Sequence, residues 1–509
     1  MACPYGMHRE DNPMQLNLSN IHYRYPQAAE PILCGVTATF PQGWTGVVGD
    51  NGCGKTTLAR IACGLLEPDS GGVGPSLVCA YCIQDATTPP PSLEDFALSY
   101  DGRAIRLRRE LNLEDDWPWR YETLSGGQQK RLQIACALWP GPDVLVMDEP
   151  TNHVDASTRD TIARALEEFT GIGILISHDR ALLDRLCSQC LFMTERGAVM
   201  RPGGYSQASG QATLEREAAA RAREEARREK RRIEREAQRR REVADRKEAG
   251  RSLRGIDKHD SDARHKKRLA VVSGTDGIAA KQAGIMDARR ERVAEQLENT
   301  RVEKRYDADI WLEAVPSRRP VLVRLPETKL PMGGRRLAVP PLFIGRNDHI
   351  GLVGNNGSGK TTLVRHLMGN MPKGVRVLYI PQEPGEGQRR AVRDRLRGLP
   401  SAARGRALSI VAQLNSEPER LLEGDAISPG EMRKLMLALG ILDSPELIVM
   451  DEPTNHLDLG SVEALERVLA SFPGALLLVS HDRALLDATT SVTWEIGEDD
   501  AGECRLHVR

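Results

Sequence analysis

Long apolar segments and aromatic residues are both scarce in this sequence of 509 residues. No uncharged apolar run approaches the roughly 18 residues that a membrane-spanning helix needs. The first residues, MACPYGMHREDNP, lack the basic start and apolar stretch of a secretory signal, so we expect a cytoplasmic protein without a membrane domain. Aromatic residues make up only 4% of the chain, which argues against the stacking surface of sequence-tolerant single-strand binders.

Cysteine is spread thinly, with ten residues in the whole chain, so a disulfide scaffold is not expected. Cys79 and Cys82, and likewise Cys187 and Cys190, have the CxxC spacing of zinc ligands. Both pairs fall in apolar runs, 78–83 and 186–192, that are typical of buried strand edges. Buried thiols are therefore the favoured interpretation, and we expect no zinc.

The sequence contains one domain twice. GDNGCGKTT at 49–57 recurs as GNNGSGKTT at 354–362, and VLVMDEPTNHVD at 144–155 recurs as LIVMDEPTNHLD at 447–458. Asp451 follows Asp148 by the same interval as His481 follows His178 (451 − 148 and 481 − 178, both 303). With 40% hydrophobic and 28% charged residues the chain is globular in composition. We expect one domain at 1–205 and its copy at 317–509.

The segment between the copies, 206–316, has a different composition. It is rich in Arg, Lys, Glu and Ala, which are strong helix formers. Residues 221–268 contain 20 Lys+Arg and 11 Asp+Glu, an excess of +9 in a chain whose net charge is −1. A second helical stretch at 278–304 follows the polar, glycine-containing segment 255–277. This order predicts an α-helical hairpin.

The glycine-rich segment of each copy matches GxxxxGK[ST] between an apolar strand and a helix. Glycines let successive backbone N–H groups surround phosphates, and a helix N-terminus favours negative charge. Lys55 and Lys360 are expected to reach the β- and γ-phosphates of a nucleotide, while Thr56 and Thr361 offer a hydroxyl to Mg²⁺. Two such matches predict nucleotide binding in both copies.

An apolar strand in each copy ends in two acidic residues, at the edge where doubly wound sheets bind ligands. These pairs are Asp148 with Glu149, and Asp451 with Glu452. The aspartates suit Mg²⁺ coordination, and the glutamates suit polarising an attacking water. A lone histidine after a strand is more often structural, but the duplication of His178 as His481 favours a role in sensing the γ-phosphate.

A third motif, LSGGQ at 124–128, opens a stretch at 129–138 that we predict to be an amphipathic helix. The motif places a hydroxyl and glycine N–H groups at a helix start, where they form an anion site. The phosphate motif, this signature segment (LSGGQ in the first copy, a variant of it in the second), the acidic strand and the histidine occur twice in this order, so the chain resembles the ATP-binding cassette superfamily. The resemblance implies an α/β fold: two P-loop ABC-type ATPase domains, each with a mixed sheet and a helical subdomain, joined by the helical hairpin.

In that superfamily two cassettes pack head to tail, and each ATP lies between one phosphate loop and the opposite signature. The resemblance therefore implies a monomer with intramolecular cassette pairing and ATP and Mg²⁺ as ligands. The implied catalytic residues are Glu149, Glu452, His178 and His481. The implied Mg²⁺ ligands are Thr56, Gln84, Asp148, Thr361, Gln382 and Asp451. The implied ATP-binding residues of the Lys55 site are Tyr25, Gly49, Asn51, Gly52, Gly54, Lys55, Thr56, Thr57, Gln84, Asp148, Ser428 and Gly430. Those of the Lys360 site are Gly354, Asn356, Gly357, Gly359, Lys360, Thr361, Thr362, Gln382, Asp451, Ser125, Gly126, Gly127 and Gln128.

The chain departs from the superfamily pattern in its second signature, which reads ISPGE at 427–431. Pro429 replaces a glycine and removes an N–H donor, and Glu431 places an acid where glutamine is usual, near phosphates. The second copy also lacks an aromatic residue where Tyr25 stands in the first, with Leu330 and Pro331 the nearest residues. The two sites are therefore expected to differ.

Within the superfamily the chain most resembles the ABC-F group, because it has fused cassettes, DEPTNH[VL]D in both copies and a long basic linker. That resemblance implies a ribosome partner: the ATP-bound form docks in the tRNA exit site, and the hairpin reaches toward the peptidyl-transferase centre, near rRNA and P-site tRNA. A basic hairpin attracts a phosphate backbone, although a solvated helix laced with ion pairs is the alternative. The candidate RNA contacts are Arg254, Lys258, Lys266, Lys267, Arg268 and Lys281.

Two ABC-F tasks remain open. Because the stretch between Gln84 and Leu124 is short, we expect no inserted arm in the first cassette. Because few residues follow His481, we also expect no C-terminal coiled coil. This outline resembles ribosome-protection members that confer antibiotic resistance, while a housekeeping factor for stalled ribosomes is the alternative. The tandem ATPase of a membrane transporter and a DNA-acting ABC ATPase are less favoured, since the linker is long and basic and each cassette is continuous. A binding module with inactive sites conflicts with the intact motifs in both copies.

The altered signature predicts unequal turnover at the two sites. The site that combines Lys55 with ISPGE has one N–H donor fewer for phosphate, so it should hydrolyse ATP more slowly. We expect Glu452→Gln, which disables the faster site, to lower steady-state ATPase activity more than Glu149→Gln does. Equal losses in the two variants would contradict this prediction.

Overall fold

The computed structural model describes residues 14–152, 154–194, 197–251, 288–289, 291–293, 295, 317–332, 335–416, 418, 421, 427–498 and 503–509, with the backbone alone at 240–251. The chain divides into two compact units. One combines Met1–Ala208 with Arg305–Arg509, and the other is Ser209–Lys304. The first unit holds both cassettes.

The first cassette is built on a six-stranded sheet and a smaller antiparallel sheet of three strands. Its strands are β1 (Gln15–Tyr23), β2 (Leu33–Pro41), β3 (Gly43–Gly49), β4 (Ser70–Gly74), β5 (Cys79–Cys82), β6 (Val144–Asp148), β7 (Ile172–Ile176), β8 (Cys187–Thr194) and β9 (Gly197–Pro202). The large sheet has the order β5-β6-β7-β3-β8-β9 and is parallel except for β9. Every residue of β6 and β7 is buried, as expected for parallel strands covered on both faces.

Helices cover this sheet and form a helical subdomain between β5 and β6. They are α1 (Lys55–Ala62), α2 (Leu93–Leu98), α3 (Gly102–Glu110), a 3₁₀ helix (Trp117–Thr123), α4 (Gly126–Leu138), α5 (Ala156–Glu167) and α6 (Arg180–Leu186). The side chain of Trp44 on β3 is buried in the core, and its Nε1 donates to the carbonyl of Leu166 on α5 at 3.0 Å. This contact fixes α5 against the strand that leads into the phosphate loop.

The second cassette repeats this arrangement. Its strands are β10 (Val321–Leu325), β11 (Thr328–Met332), β12 (Arg335–Val339), β13 (Leu342–Gly345), β14 (His349–Gly354), β15 (Val377–Ile380), β16 (Leu447–Asp451), β17 (Ala475–Val479), β18 (Val492–Glu498) and β19 (Cys504–Val508). Its helices are α8 (Lys360–Gly369), α9 (Glu386–Gly398), α10 (Ser401–Gln413), α11 (Pro429–Ile441), α12 (Leu459–Ala470) and α13 (Arg483–Thr489). Its large sheet has the order β11-β12-β19-β18-β14-β17-β16-β15.

Both copies place the strand before the phosphate loop between the same two neighbours. In the first copy β3 lies between β7 and β8, and in the second β14 lies between β17 and β18. The copies differ at the sheet edge, because β12 pairs with β19 and so joins the antiparallel hairpin β11–β12 to the main sheet. The loops after these central strands therefore emerge at equivalent positions in both cassettes.

A helix follows LSGGQ as predicted, but the prediction that this helix is amphipathic is wrong. The helix is present as α4, but eight of its thirteen residues are buried, among them the polar Gln129, Lys130 and Gln133. It packs between the sheet and the helical subdomain, so most of its surface is covered. Polar residues on this helix face the protein interior, where they require partners.

The other unit begins within α7 (Tyr205–Arg251), a helix of 47 residues. Ion pairs one turn apart line its surface, such as Arg221 with Glu217 and Arg228 with Glu224. Arg289 lies 2.9 Å from Glu229 of α7, which places the returning chain beside the helix at this point. The expected turn at 255–277 lies outside the described residues.

Candidate functional site

The phosphate loop of each cassette is closed by glycines in the left-handed region. Gly54 has φ +95° and Gly359 has φ +102° at the start of α1 and α8. A Cβ on Gly54 would lie 2.8 Å from the side chain of Leu33, so the loop has no room for a larger residue. Lys55 is buried and its Nζ donates to the carbonyls of Gly49 and Asp50 at 2.8 and 2.9 Å.

Oxygen ligands meet at the carboxyl end of the acidic strand in both copies. Thr56 Oγ1 donates to Asp148 Oδ2 at 3.0 Å, and Thr361 Oγ1 donates to Asp451 Oδ2 at 3.3 Å. Tyr81 on β5 donates a further hydrogen bond to Asp148 Oδ2 at 2.7 Å. This tyrosine is not among the predicted site residues, although a tyrosine stands three positions before the glutamine in both copies, in CAYCIQ and VLYIPQ.

The two catalytic candidates on these strands have strained backbones. Glu149 has φ +50° and Glu452 has φ +48°, a conformation that costs a non-glycine residue about 1–3 kcal/mol. Their N–H groups donate to Ile176 and Val479, both at 2.8 Å. The neighbouring strand thereby holds each glutamate in its left-handed conformation, with the carboxyl group directed into the cavity it lines.

Burial shifts the titration of both glutamates and both histidines. It raises the pKa of Glu149 to about 8 and that of Glu452 to about 7. It lowers the pKa of His178 to about 3 and that of His481 to about 4. His178 Nε2 lies 3.3 Å from Glu149 Oε1, and His481 Nε2 lies 3.5 Å from Glu452 Oε1. Each pair therefore places a neutral imidazole beside a carboxyl group of raised pKa.

The first cavity, of about 520 Å³, is lined by both cassettes. Lys55, Glu149 and His178 come from the first cassette, and Ser428, Pro429 and Gly430 come from the second. The other predicted residues that line it are Tyr25, Asn51, Gly52, Gly54, Thr56, Thr57, Gln84 and Asp148.

Two direct contacts join the cassettes at the first cavity. Asn51 Nδ2 donates to the carbonyl of His456 at 3.2 Å, and Asn415 Nδ2 donates to Asp50 Oδ1 at 2.9 Å. The phosphate loop of one cassette is therefore tied to the other cassette through two adjacent residues, Asp50 and Asn51.

The second cavity, of about 640 Å³, has a different lining. Its predicted residues are Asn356, Gly357, Gly359, Lys360, Thr361, Thr362, Gln382, Asp451, Glu452 and His481. The first cassette contributes Thr151, Val154 and Arg159. Among the described residues that line this cavity, none is from the signature segment Ser125, Gly126, Gly127 and Gln128. Met332 also lines this cavity. It directly follows Leu330 and Pro331, the residues nearest to the position where Tyr25 stands in the first copy.

Each signature begins a helix with the same capping arrangement. Ser125 Oγ accepts from the N–H of Gln128, and Ser428 Oγ accepts from the N–H of Glu431. The Glu431 carboxylate in turn accepts from the N–H of Ser428 at 3.1 Å, so it caps the helix as Gln128 does. Pro429 occupies the first helical position, which suits proline but offers no N–H to a ligand.

A buried cation in each signature helix holds the glutamine segment of its own cassette. Lys130 Nζ donates to the carbonyl of Gln84 at 2.9 Å, and Arg433 Nη2 donates to the carbonyl of Gln382 at 2.5 Å. Both follow the signature serine by five positions (130 − 125 and 433 − 428), and this shared spacing could have revealed them.

The remaining predicted residues fall into two groups. Gly49 and Gly354 accept hydrogen bonds from the loop lysines through their carbonyls. The candidate RNA contacts Arg254, Lys258, Lys266, Lys267, Arg268 and Lys281 lie outside the described residues.

The donor sets fit Mg²⁺ and phosphates. A threonine hydroxyl, an aspartate carboxylate and a glutamine side chain line each cavity, and hard oxygen ligands of this kind suit Mg²⁺. Oε1 of Glu149 and of Glu452 is buried, and its polar neighbour is Nε2 of the adjacent histidine, at 3.3 Å in the first site and 3.5 Å in the second. A Cβ would be crowded at Gly54 and Gly359, where each phosphate loop enters its helix, while Gly52 and Gly357 have open space.

Comparison with known proteins supports this interpretation. Residues 33–152 and 342–455 match the family model of the ABC transporter. The chain is 32% identical over 520 residues to ATP-binding protein Uup of Caulobacter vibrioides, covering 92% of this chain and 75% of that protein. The chain belongs to the ABC-F family. Its tandem ABC ATPase domains make it an ATP hydrolase, with nucleotide binding that in general involves Mg²⁺.

Other relatives of this ABC-F protein carry functional names. Energy-dependent translational throttle protein EttA of Mycobacterium tuberculosis is 28% identical, covering 92% of this chain and 89% of that protein. Ribosome protection protein VmlR of Bacillus subtilis is 26% identical, covering 94% and 85%. The predicted family is confirmed.

A solved structure named RNase-L Inhibitor has a TM-score of 0.62 at 19% identity, covering 96% of this chain and 90% of that one. This likeness confirms the α/β fold of tandem cassettes. In the part of the chain that the structure describes, no helix is both long and apolar enough to cross a membrane.

The pKa values of the two glutamates predict different pH dependences. A carboxyl group must lose its proton to polarise water, so kcat/KM should rise with pH through the pKa of the glutamate in use. Glu452→Gln leaves only the Glu149 site, and its profile should rise near pH 8. Glu149→Gln should give a rise near pH 7.

Both profiles are measured as ATPase activity at limiting ATP, with the double variant as the background control. Coincident midpoints below pH 6 would show that burial does not control these carboxyl groups.

Proposed function

We propose that this ABC-F protein binds the ribosome in its ATP-bound, closed form and hydrolyses ATP to release, working in the cytoplasm. The observation that carries the proposal is the first cavity, which Lys55 shares with Ser428 and Gly430 of the other cassette. A nucleotide held there contacts both halves, so its binding favours the closed arrangement. The residues that would hold Mg²⁺ are Thr56, Gln84 and Asp148, with Thr361, Gln382 and Asp451 at the second site.

Bound Mg²⁺ would neutralise phosphate charge during hydrolysis. Glu149 and Glu452 would orient and polarise the attacking water, because each lines its cavity at the end of the acidic strand with a histidine beside its carboxyl group. His178 and His481 remain neutral at physiological pH, so each can donate one N–H to the γ-phosphate. Loss of that phosphate would weaken the contact between the cassettes.

The ribosome partner is proposed from the relatives and from charge. VmlR is named a ribosome protection protein, and TlrC of Streptomyces fradiae, 27% identical, is named a tylosin resistance protein. The basic segment 221–268, with its excess of +9, suits rRNA. We propose docking at the exit site with the segment 206–316 directed to rRNA and P-site tRNA, and antibiotic resistance as the task.

A translation-control role is the second candidate, because EttA is named a translational throttle. Both candidates share the ribosome as partner and differ in whether a drug is countered.

Sedimentation with ribosomes tests the proposal. The variant Glu149→Gln/Glu452→Gln retains ATP, so we expect it to co-sediment with ribosomes in ATP and not in ADP. Lys55→Ala/Lys360→Ala is the matched control and should stay at the top of the gradient. Absence of ATP-dependent co-sedimentation would contradict ribosome binding.

The same proteins separate the two tasks in cells. For resistance, the wild-type chain should raise the minimum inhibitory concentration of at least one ribosome-targeting antibiotic, and the Lys55→Ala/Lys360→Ala variant should not. Unchanged values across the panel would favour translation control.

A further inference from the structure

One arginine lies between the two nucleotide cavities. Arg159 on α5 lines both of them, and its side chain is 24% exposed. Its Nε lies 3.0 Å from Asp179 Oδ2, and its Nη1 donates to the carbonyl of His481 at 3.1 Å. A single guanidinium therefore contacts the loop after β7 in the first cassette and the loop after β17 in the second.

Both contacted loops carry the histidines of the candidate sites. Asp179 follows His178 and caps α6 by accepting from the N–H of Leu182 at 3.1 Å. The ring of His481 lies 3.0 Å from Lys360 Nζ. Arg159 thus contacts the residue that follows His178 and the backbone of His481. Among the described residues it makes no direct contact with either phosphate loop.

The repeat does not supply an equivalent residue in the second copy. The position 303 residues later (159 + 303) is Val462, which is 1% exposed and packs in a hydrophobic cluster. A neighbouring contact is one-sided as well: Arg180 lies 3.0 Å from Glu466, whose equivalent in the first copy (466 − 303) is Ala163. Neither contact therefore has an equivalent with the roles of the two cassettes exchanged.

We propose that Arg159 is a positioning residue that couples the two ATP sites by holding the His178–Asp179 loop and the His481 loop in one arrangement. The planar guanidinium has five N–H donors in a fixed fork, so it can serve two acceptors at once. A shift of either loop breaks one of its contacts in a half-buried environment. The coupling rests on the proposed sharing of both sites between the cassettes and is independent of ribosome binding.

The test measures one site with its neighbour loaded or empty. In Glu149→Gln the Lys55 site holds ATP without hydrolysing it, and in Lys55→Ala that site is empty. Turnover in both variants comes from the Lys360 site, so the ratio of their kcat values reports the coupling. With Arg159 present we expect the two kcat values to differ by at least about fivefold, within the range of typical site-to-site coupling.

Arg159→Val, which copies the second cassette, should bring this ratio close to one. Arg159→Lys keeps the charge but replaces the planar fork with a single ammonium group, so it should also lose most of the coupling. This variant guards against a folding failure of the valine variant. Arg164→Val on the same helix, at a side chain that is 61% exposed, is the matched control and should leave the ratio unchanged.

A purely structural role would lower both rates by one factor and preserve the ratio. A ratio that persists in Arg159→Val and Arg159→Lys, or one that is already near one with Arg159 present, would overturn the proposal. The assay contains no ribosomes, so its failure is distinguishable from failure of the proposed ribosome function.

Discussion

The rest of this protein depends on one constraint, which is that the first cavity is lined by residues of both cassettes. Neither the phosphate loop at Lys55 nor the signature at Ser428 encloses a nucleotide alone, since one offers a lysine and N–H groups and the other a hydroxyl at a helix start. Contacts such as Asn51 to the carbonyl of His456 bring these parts together. At such a site, part of the free energy of ligand binding is used to hold the two cassettes together in the closed arrangement.

The carboxyl groups at the end of each acidic strand are held in a costly state. Glu149 and Glu452 combine left-handed backbone, burial and raised pKa values. Strain and desolvation of this kind persist only where surrounding structure enforces them, and here the neighbouring strands do so through hydrogen bonds to the glutamate N–H groups. The structure therefore bears an energetic cost at the position proposed to polarise the attacking water.

The sequence predicted the parts of the fold and site that depend on local chain pattern. Apolar runs gave the buried strands β6 and β16, and the glycine motifs gave the loops before α1 and α8, because short-range sterics fix both. Tyr81 and Arg433 were not predicted as site residues, because their hydrogen-bond partners are distant in the sequence. A closer comparison of the two copies could have identified them, because their spacing from the neighbouring motif is repeated.

Arg159 and Met332 illustrate what spacing does not reveal. Arg159 has meaning only through its contacts to Asp179 and His481, and Met332 only through its place in the second cavity. By contrast, Lys130 on α4 is buried by the packing around that helix, but its spacing from the signature serine is repeated in the second copy. Arg159 has no equivalent in the second copy, where Val462 takes its place, so no repeated pattern marks it.

Counting retained nucleotides tests the shared cavity most directly. In the Glu149→Gln/Glu452→Gln background each chain should retain two ATP molecules, and adding Ser428→Glu should remove the one at Lys55. Further addition of Lys55→Ala should then leave one ATP, whereas addition of Lys360→Ala should leave none. The reverse pattern would show that Ser428 serves the phosphate loop of its own cassette, and it would contradict the account.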